Sequence, residues 1–378
     1  MKTLFIHNTV PEYRIEFMNQ LSKMTEVEFV ITTPSLEKEI YQLVSDEDFL
    51  KATVVYLPEN FSRYMKIKKY ISDSMICTVI LPPADNVNQY VLGLYSMLCA
   101  LRYHKNIIYW TEKWEANREK QPIYKTIKNF IHRKMIKSLA KQCQICIAAG
   151  SRSKEYLLKL GIDKDKIEIA YDSSVSRQSE MLLNITTMYD LKENSKVILY
   201  LGRMIRRKGC KILIQAFQRI VEGDSNCYLI MAGQGDELAK CKKLVEEYCI
   251  QNVIFTGKVS PDQRAAFYRL AKVFVLPSYT EEGVIEAWGL TVNEALEYGT
   301  PVVATTAVGA AYDVLNGKNG CMVEENSVEA LVEGINRFLY HGGEEEIREA
   351  CICSAAKYSV ENMAKSFVKA IKRVEGKF

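Results

Sequence analysis

Short apolar runs alternate along the chain with longer stretches in which apolar residues recur at helical spacing. The runs are rich in β-branched and aromatic residues, which is typical of buried parallel strands. Strands alternating with helices predict βαβ units, and therefore a Rossmann-like parallel sheet covered on both faces. In the N-terminal half we predict strands at 4–7, 27–31, 53–57, 76–81, 106–110, 144–148 and 167–170.

The same alternation continues in the C-terminal half. Because 378 residues exceed what one hydrophobic core usually supports, we expect two domains. Residues 172–195 carry no strong pattern and are predicted to connect them. Ser260, Pro261 and Gln263 predict a helix that starts with a capping box. The further predicted strands are 197–201, 228–232, 253–255, 272–276 and 301–304, and the predicted helices include 212–221, 291–298, 328–340, 344–357 and 360–374.

Two carboxylates lie in the segment that reads strand, loop, helix, strand between 272 and 304. Glu286 falls on the loop after a strand and Glu294 on the following helix, at the sheet edge where ligands bind in open α/β folds. A carboxylate accepts two hydrogen bonds from sugar hydroxyls, and a helix start near Thr291 suits a phosphate. A nucleoside diphosphate sugar has both kinds of group. The alternative is that Glu286 is a solvated loop acid and Glu294 a surface residue.

The residues around these acids resemble a known signature. Glu286-Ala-Trp-Gly-Leu-Thr-Val-Asn-Glu294-Ala resembles the Glu-x7-Glu motif of family-4 retaining glycosyltransferases, and the likeness continues through 308–313 and 319–320. It covers the C-terminal half, whereas the N-terminal half resembles the family only loosely. The resemblance implies the GT-B fold, with two Rossmann-like parallel-sheet domains facing a central cleft. We expect an acceptor domain at 1–175, with helix 360–378 packed back on it, and a donor domain at 190–358.

The resemblance also implies roles for individual residues. Glu294 would hold the ribose hydroxyls and Glu286 the transferred sugar, while Arg203 and Lys208 would contact the donor diphosphate. A planar guanidinium and a point-charge ammonium suit a diphosphate, so no metal and no cofactor are expected. Backbone N–H groups of 308–310 would also face the donor, and Arg206 and Arg207 are interpreted as solvent-exposed. The remaining predicted donor-binding residues are Gly202, Gly233, Trp288, Gly289, Leu290 and Thr291.

The first turn after a strand contains no Gly-x-Gly-x-x-Gly, which argues against a dinucleotide-binding enzyme. Its Pro11-x-Tyr13-Arg14 resembles other members of the same glycosyltransferase group. Arg14, with Tyr13 beside it, is therefore a candidate for a phosphate of the donor or the acceptor. The alternative is an arginine on a helix surface.

Glu112 follows the predicted strand 106–110 and should face the same edge of the N-terminal sheet. We predict that it positions or deprotonates the acceptor hydroxyl, completing a catalytic set with Glu286, Arg203 and Lys208. Burial would raise its pKa and so favour a general base. The alternative is an ion pair with Lys113 or Arg118.

Residues 113–142 are basic, with aromatic and aliphatic residues interleaved, and 63–70 form a second basic cluster. Basic amphipathic helices bind anionic membrane surfaces, which would suit a lipid-linked saccharide acceptor. The alternative is a core-facing apolar stripe with solvated lysines. Nucleic acid is not expected, because the net charge is only +4 and no recognition module accompanies the basic residues.

The composition is that of an ordinary globular protein, with 48% hydrophobic and 25% charged residues. Met1-Lys2 leads directly into an apolar strand rather than a signal peptide, and the 11 cysteines are scattered. We therefore expect reduced thiols and a cytoplasmic protein, peripheral at the membrane if the basic stretch binds it. No metal site is expected at Cys143-x-x-Cys146, which has no further suitably spaced ligands, or at Asp163-x-Asp165, which lies in a predicted surface turn.

Taken together, the resemblance implies a retaining transferase that moves a sugar from a nucleoside diphosphate sugar to a saccharide or lipid-linked saccharide in surface polysaccharide synthesis. Family frequency favours UDP as the nucleotide. Two alternatives stay open: a GT-B sugar-nucleotide epimerase or phosphorylase, and a non-catalytic sugar-nucleotide-binding protein. Dependence on an acceptor would separate the first, and any turnover would exclude the second.

Overall fold

The computed structural model describes residues 2–33, 52–84, 86–115, 123–175, 184–340 and 342–376. The chain divides into two compact units. Unit 1 comprises Met1–Trp114, Arg118–Ser174 and Val360–Phe378. Unit 2 comprises Glu115–Asn117 and Val175–Ser359. Part of the predicted connection, 176–183, lies outside the described residues.

Unit 1 contains a seven-stranded parallel sheet of order β3-β2-β1-β4-β5-β6-β7. All the strands predicted for the N-terminal half are confirmed, and only their ends shift. The apolar runs of β1, β2, β4, β5 and β6 are buried, as a sheet covered on both faces requires, whereas the edge strand β3 is half-buried to exposed. The bounds are β1 Lys2–His7, β2 Val27–Ile31, β3 Thr53–Tyr56, β4 Ile76–Leu81, β5 Asn106–Thr111, β6 Ile145–Ala148 and β7 Ile167–Ile169.

The described helices of unit 1 include one from the far end of the sequence. Phe367 on this helix packs on Phe5, Phe17 and Trp110, with ring centroids 5.8, 4.9 and 5.4 Å apart. One face of the N-terminal sheet is therefore covered by C-terminal residues. The helices are α1 Glu12–Met24, α2 Ser62–Ser72, α3 Val87–Arg102, α4 Ile123–Gln142, α5 Ser151–Lys159 and, later in the chain, α14 Val360–Val374.

Unit 2 contains a six-stranded parallel sheet of order β10-β9-β8-β11-β12-β13. The five predicted strands are present. The sixth, at the sheet edge, was not predicted, because Gly-Cys-Met-Val is short and only partly buried. The bounds are β8 Lys196–Leu201, β9 Cys227–Ala232, β10 Val253–Gly257, β11 Val273–Leu276, β12 Val302–Thr305 and β13 Gly320–Val323.

The predicted helices of unit 2 are present, with small shifts at their ends, whereas the short helices at Ile185–Met188, within the predicted connection, and at Gly309–Val314 were not predicted. The capping box of Ser260 and Gln263 is confirmed, with Pro261 in the first turn. The helices are α6 Ile185–Met188, α7 Cys210–Gly223, α8 Leu238–Glu247, α9 Pro261–Leu270, α10 Thr291–Glu297, α11 Gly309–Val314, α12 Val328–Leu339 and α13 Glu344–Lys357.

Candidate active site

Three neighbouring strands of unit 2, β8, β11 and β12, end at the same edge of the sheet. The loop after β8 carries Lys208, and the loop after β11 carries Glu286. The loop after β12 leads to Val308. Because parallel strands bring their carboxyl ends to one edge, residues far apart in sequence meet here.

The basic turn after β8 is fixed against the end of β11. Arg206–Lys208 form a 3-10 turn that Gly209 closes with a φ of 70°. A Cβ on Gly209 would lie 2.0 Å from the carbonyl oxygen of Pro277, so only glycine allows this approach. The N–H of Tyr279 donates to the carbonyl of Arg207 over 2.9 Å. The turn therefore has a defined position over the loop that carries Glu286.

Glu286 is largely buried and binds two cations. Arg207 Nη1 and Lys208 Nζ each lie 2.7 Å from its Oε2, and both side chains are also largely buried. Burial alone would raise the pKa of Glu286, but the charges of Lys208 and Arg207 outweigh it and lower the pKa below its ordinary value. Glu286 is therefore a carboxylate at neutral pH.

The backbone of Glu286 is tied to the loop after β12. Its N–H donates to Ala307 over 3.0 Å, and its carbonyl accepts from Gly309 over 3.1 Å. The N–H groups of Ala310 and Val308 donate to Trp288 and Thr305. The expectation that 308–310 offer free N–H groups to a donor is therefore wrong. These groups hold the Glu286 loop instead.

Glu294 lies on α10 and is only 4% exposed. Tyr268 donates its hydroxyl to Oε2 over 2.9 Å, and Arg264 approaches Oε1 at 3.5 Å. Burial and the nearby charge of Glu294 raise the pKa of Tyr268 well above its ordinary value, so the phenol remains a donor. The surface-residue alternative is wrong for Glu294, and the solvated-acid alternative is wrong for Glu286.

The glycine loops after β8 and β9 touch each other. A Cβ on Gly233, whose φ is 152°, would lie 1.8 Å from the carbonyl oxygen of Gly202. Arg203, between the two loops, has an exposed side chain, while its carbonyl accepts from Tyr200 over 2.7 Å. Its predicted contact with a diphosphate stays a prediction.

The other predicted donor-binding residues surround the start of α10. Trp288 is buried, and its indole N–H donates to Asn293 over 2.9 Å. Gly289 is buried, and Leu290 and Thr291 are half-buried at the seven-residue helix. These contacts hold the segment in place within unit 2, and the role of its residues towards a donor stays a prediction.

Arg207 corrects the sequence interpretation. It was expected to be solvated like Arg206, yet its guanidinium is held on Glu286. Arg206 is 77% exposed and pairs with Glu281 over 3.0 Å. Nothing in the run Arg-Arg-Lys distinguishes the two arginines, because the 3-10 turn alone decides which one points inward.

Unit 1 has a second charged cluster at the carboxyl edge of its own sheet. Arg14, in the first turn of α1, is 3% exposed. It forms a two-point ion pair with Asp172 after β7, with Nη2 2.9 Å from Oδ2, and it donates to Glu112 after β5 over 2.6 Å. Its guanidinium lies over the rings of Trp110 and Tyr13, at 4.9 and 5.1 Å. Burial lowers the pKa of Arg14, but Asp172 and Glu112 raise it more, so the charge is permanent.

These contacts correct two expectations for unit 1. The surface-arginine alternative for Arg14 is wrong. Glu112 pairs with Arg14 rather than Lys113 in the contacts described, and Arg118 lies outside the described residues. The Glu112 side chain is 37% exposed, so it is not buried as expected. Asp172 was not predicted, because its sequence neighbours resemble a linker.

His7 is a further titratable group at this edge that the sequence did not single out. It ends β1, and its Nδ1 lies 2.8 Å from the carbonyl oxygen of Thr9. Burial lowers its pKa to about 4, with the nearby charge of Arg14 acting in the same direction. The imidazole is therefore neutral at pH 7, with Nδ1–H as donor and Nε2 as acceptor.

Helices α2, α3 and α4 pack side by side in unit 1, through Tyr64 against Tyr95 and Tyr90 against Ser138. Ile136 and Leu139 of α4 are buried, as a core stripe should be. A second apolar set is exposed, so core packing does not account for all the apolar residues of this basic region. The α2–α4 surface has the exposed apolar residues Phe61, Met65, Val87, Val91, Leu98, Ile127, Phe130 and Ile131.

Among the residues that the structure describes, no helix combines the length and apolar character needed to cross a membrane. Within those same ranges, no group of three or more His, Cys, Asp or Glu side chains is arranged to hold a metal ion. Cys143 and Cys146 are buried thiols, and Asp163 caps the 3-10 turn that contains Asp165.

A comparison with known sequences matches most of unit 2 to a protein family. Residues 186–358 match the family profile described as glycosyl transferases group 1. An uncharacterised glycosyltransferase of Methanocaldococcus jannaschii is 28% identical over 66% of this chain and 65% of its own length. The lipopolysaccharide 1,2-N-acetylglucosaminetransferase of Salmonella typhimurium is 31% identical over 50% of this chain and 51% of its own. The matched segments thus span about half to two thirds of these relatives.

Comparison with solved structures covers nearly the whole chain. A glycosyltransferase of Rickettsia africae has a TM-score of 0.73 at 20% identity, covering 99% of both chains. The Anabaena protein HepE, crystallised with UDP, has a TM-score of 0.75 at 16% identity, covering 99% of this chain and 100% of its own. These likenesses and the two parallel sheets confirm the predicted GT-B fold.

Proposed function

We propose that this chain, in which residues 186–358 form a glycosyl transferases group 1 domain, transfers a sugar from a nucleoside diphosphate sugar to a saccharide. One observation carries the proposal. Glu294 is a buried and Glu286 a largely buried carboxylate, both after strand β11 in unit 2, and Lys208 lies 2.7 Å from Glu286. A cation thus stands next to a carboxylate that can accept sugar hydroxyls.

The proposed chemistry relies on charge at fixed positions. Lys208 and Arg203 neutralise the diphosphate as it leaves, and Glu286 steadies the positive charge that develops on the sugar. Stabilisation of this kind is often the largest single catalytic contribution. We assign no protein nucleophile, and we propose same-face attack with retention of the anomeric configuration. In this proposal Lys208 and Arg203 neutralise the diphosphate, as a divalent metal ion does in metal-dependent enzymes, so no metal is required.

Glu294 is proposed to bind the ribose. Its two oxygens are oriented by Tyr268 and Arg264, so the carboxylate has a fixed position, and a carboxylate accepts hydrogen bonds from hydroxyl groups. We favour UDP as the nucleotide, because HepE, which has the same fold, was crystallised with UDP and glucose. Glu294→Gln should weaken nucleotide binding by about tenfold, since a neutral amide is a weaker acceptor than a carboxylate.

Unit 1 is proposed to bind the acceptor. Glu112 lies at the edge of the sheet with 37% of its side chain exposed, so an acceptor hydroxyl can reach it. Relatives named for lipopolysaccharide and for capsular polysaccharide synthesis, from Salmonella typhimurium and Staphylococcus aureus, support a saccharide acceptor. We propose that surface polysaccharide synthesis is the setting.

The test is calorimetric titration of UDP, GDP and ADP into the purified protein and two variants. Lys208→Ala should weaken binding of the preferred nucleotide at least tenfold, which corresponds to about 1.4 kcal/mol. Arg206→Ala is the matched control, because that side chain is mostly exposed and should leave binding unchanged. Absence of binding for all three nucleotides would refute the proposal. Product that forms only with an acceptor would separate a transferase from an epimerase.

We further propose that the α2–α4 surface docks on an anionic membrane from the cytoplasmic side. Lys134 lies over the ring of Phe130, so a cation and an exposed aromatic residue can enter the lipid interface together. Each basic residue near such a surface contributes about 1 kcal/mol. The surface carries the basic residues Arg63, Lys66, Lys68, Lys69, Lys128, Lys134, Lys137 and Lys141.

Co-sedimentation with vesicles tests the docking surface. We expect binding to phosphatidylglycerol vesicles that high salt reverses, and weak binding to phosphatidylcholine. Phe130→Ala should reduce binding, whereas Tyr248→Ala in unit 2 should not. The two aromatic side chains are comparably exposed, at 59% and 55%. Equal loss of vesicle binding in both variants, or equal binding to the two lipids, would contradict docking through this surface.

A further inference from the structure

Two cations share one oxygen of Glu286. Arg207 and Lys208 both lie 2.7 Å from Oε2. The other oxygen, Oε1, accepts no hydrogen bond from the residues that the structure describes. One carboxylate with two cations leaves one positive charge in excess, and one carboxylate oxygen open for a hydroxyl group.

Lys208 alone could not serve both the carboxylate and a diphosphate. A buried carboxylate without a counter-ion is strongly unfavourable, so a single lysine beside Glu286 would be held there. Moving it to a phosphate would leave Glu286 charged and unpaired. A second cation removes this conflict, because it stays on Glu286 when the lysine leaves.

We propose that Arg207 is a positioning residue that holds Glu286 and thereby frees Lys208 for the donor diphosphate. Arg207 itself touches neither the phosphates nor the sugar. It keeps Glu286 ionised and oriented, with Oε1 towards the transferred sugar. This role rests on the proposed function of Lys208 and Glu286.

The fixed backbone of Arg207 supports a stationary role. Its carbonyl accepts from Tyr279, on the same loop as Glu286, and Gly209 locks the turn against Pro277. Arginine also suits the task better than lysine, since its planar guanidinium keeps its charge and its orientation. The flexible lysine next to it is the group that can move.

The first experiment compares nucleotide binding in Arg207→Ala and Arg206→Ala. Removing Arg207 leaves Lys208 as the sole cation on Glu286, so the preferred nucleotide should bind about tenfold more weakly. Arg206→Ala removes an equal charge from the neighbouring residue and should bind normally. Arg207→Lys should recover most of the affinity, because it restores a second cation.

The second experiment adds Glu286→Gln. In this background Lys208 has no carboxylate to neutralise, so Arg207→Ala should no longer weaken binding. The double variant should therefore bind the nucleotide as tightly as Glu286→Gln alone. If Arg207 instead contacted the diphosphate, its removal would cost about tenfold in both backgrounds. Nucleotide binding by the double variant also shows that a chain without the Arg207 side chain can fold.

The possible outcomes of these binding experiments distinguish the proposed function from the proposed role of Arg207. If the wild-type protein binds none of the nucleotides, the proposed function itself fails. If it binds one of them but Arg207→Ala behaves like Arg206→Ala, only the role of Arg207 is refuted. If Arg207→Ala weakens nucleotide binding equally with and without Glu286→Gln, the positioning role is also refuted, and Arg207 is assigned to the diphosphate. Restoration by Glu286→Gln and by Arg207→Lys supports the inference.

Discussion

The two units carry charge clusters of opposite composition at equivalent places. In unit 1 one cation, Arg14, is shared by the carboxylates Asp172 and Glu112. In unit 2 one carboxylate, Glu286, is shared by the cations Arg207 and Lys208. Both clusters lie where parallel strands end, so the same backbone arrangement presents opposite excess charges.

The opposite excess charges indicate which ligand the sheet edge of each unit favours. An excess positive charge attracts an anion, as a diphosphate requires. An excess of carboxylates repels a phosphate but accepts hydrogen bonds from hydroxyl groups. Arg14 was predicted to meet a phosphate, and that role stays a prediction. Its charge is already offset by Asp172 and Glu112, so we favour a structural role that presents Glu112 to an acceptor.

The strongest test of this comparison is Glu112→Gln. If Glu112 accepts the proton of the acceptor hydroxyl, transfer should fall by about 10²- to 10⁴-fold, because that is the usual contribution of general base catalysis. Nucleotide binding should be unchanged, since the donor is assigned to unit 2. Transfer is measured with an acceptor-dependent assay, and nucleotide binding is measured by calorimetry. Normal transfer by this variant would remove Glu112 from the mechanism.

The next largest effect is expected for Arg14→Ala. Removing the cation leaves Asp172 buried and unpaired, which should destabilise unit 1 by about 3–5 kcal/mol. Urea unfolding followed by the fluorescence of Trp110 and Trp114 in a Trp288→Phe background reports on unit 1. Lys365→Ala is the control, because it breaks an exposed pair with Glu361 in the same unit and should cost at most about 1 kcal/mol. If the control variant destabilised unit 1 as much as Arg14→Ala does, the burial of Asp172 would not account for the effect.

A smaller effect concerns His7 and pH. Its pKa is about 4 in the folded chain and near 6.5 when unfolded, so only the unfolded chain takes up this proton between those values. The stability that the neutral His7 contributes is therefore full above pH 6.5. It falls as the pH is lowered from 6.5 through 4, by up to about 1.4 kcal/mol per pH unit. His7→Gln should show a shallower loss of stability over this range. Parallel curves for the two proteins would contradict the low pKa.

Much of unit 2 could be predicted from the sequence, because its signals are local. Apolar runs mark its inner strands, and Glu286 and Glu294 lie in one recognisable string. Strand β13 was missed, since its four residues begin with a glycine and so contain an apolar run of only three residues. Arg207 was missed because which of two adjacent arginines points inward depends on the turn geometry.

Less of the unit 1 cluster could be predicted, because its partners are remote in sequence. Arg14 and Asp172 are 158 positions apart, and no local pattern pairs them. The order of strands β5, β6 and β7 brings Asp172 to the edge where Glu112 lies. From sequence alone Glu112 could only be paired with its neighbours, and Asp172 could only be interpreted as the start of a linker.

The packing of α14 on the N-terminal sheet has a consequence for biosynthesis. A chain is made from its N-terminus, so β1, α1 and Trp110 leave the ribosome before Phe367 exists. Unit 2 is complete once Ser359 has emerged, whereas unit 1 still lacks one layer of its core. The half that is synthesised first is therefore the half that finishes folding last. Until then the aromatic side chains of Phe5, Phe17 and Trp110 lack the cover that Phe367 provides.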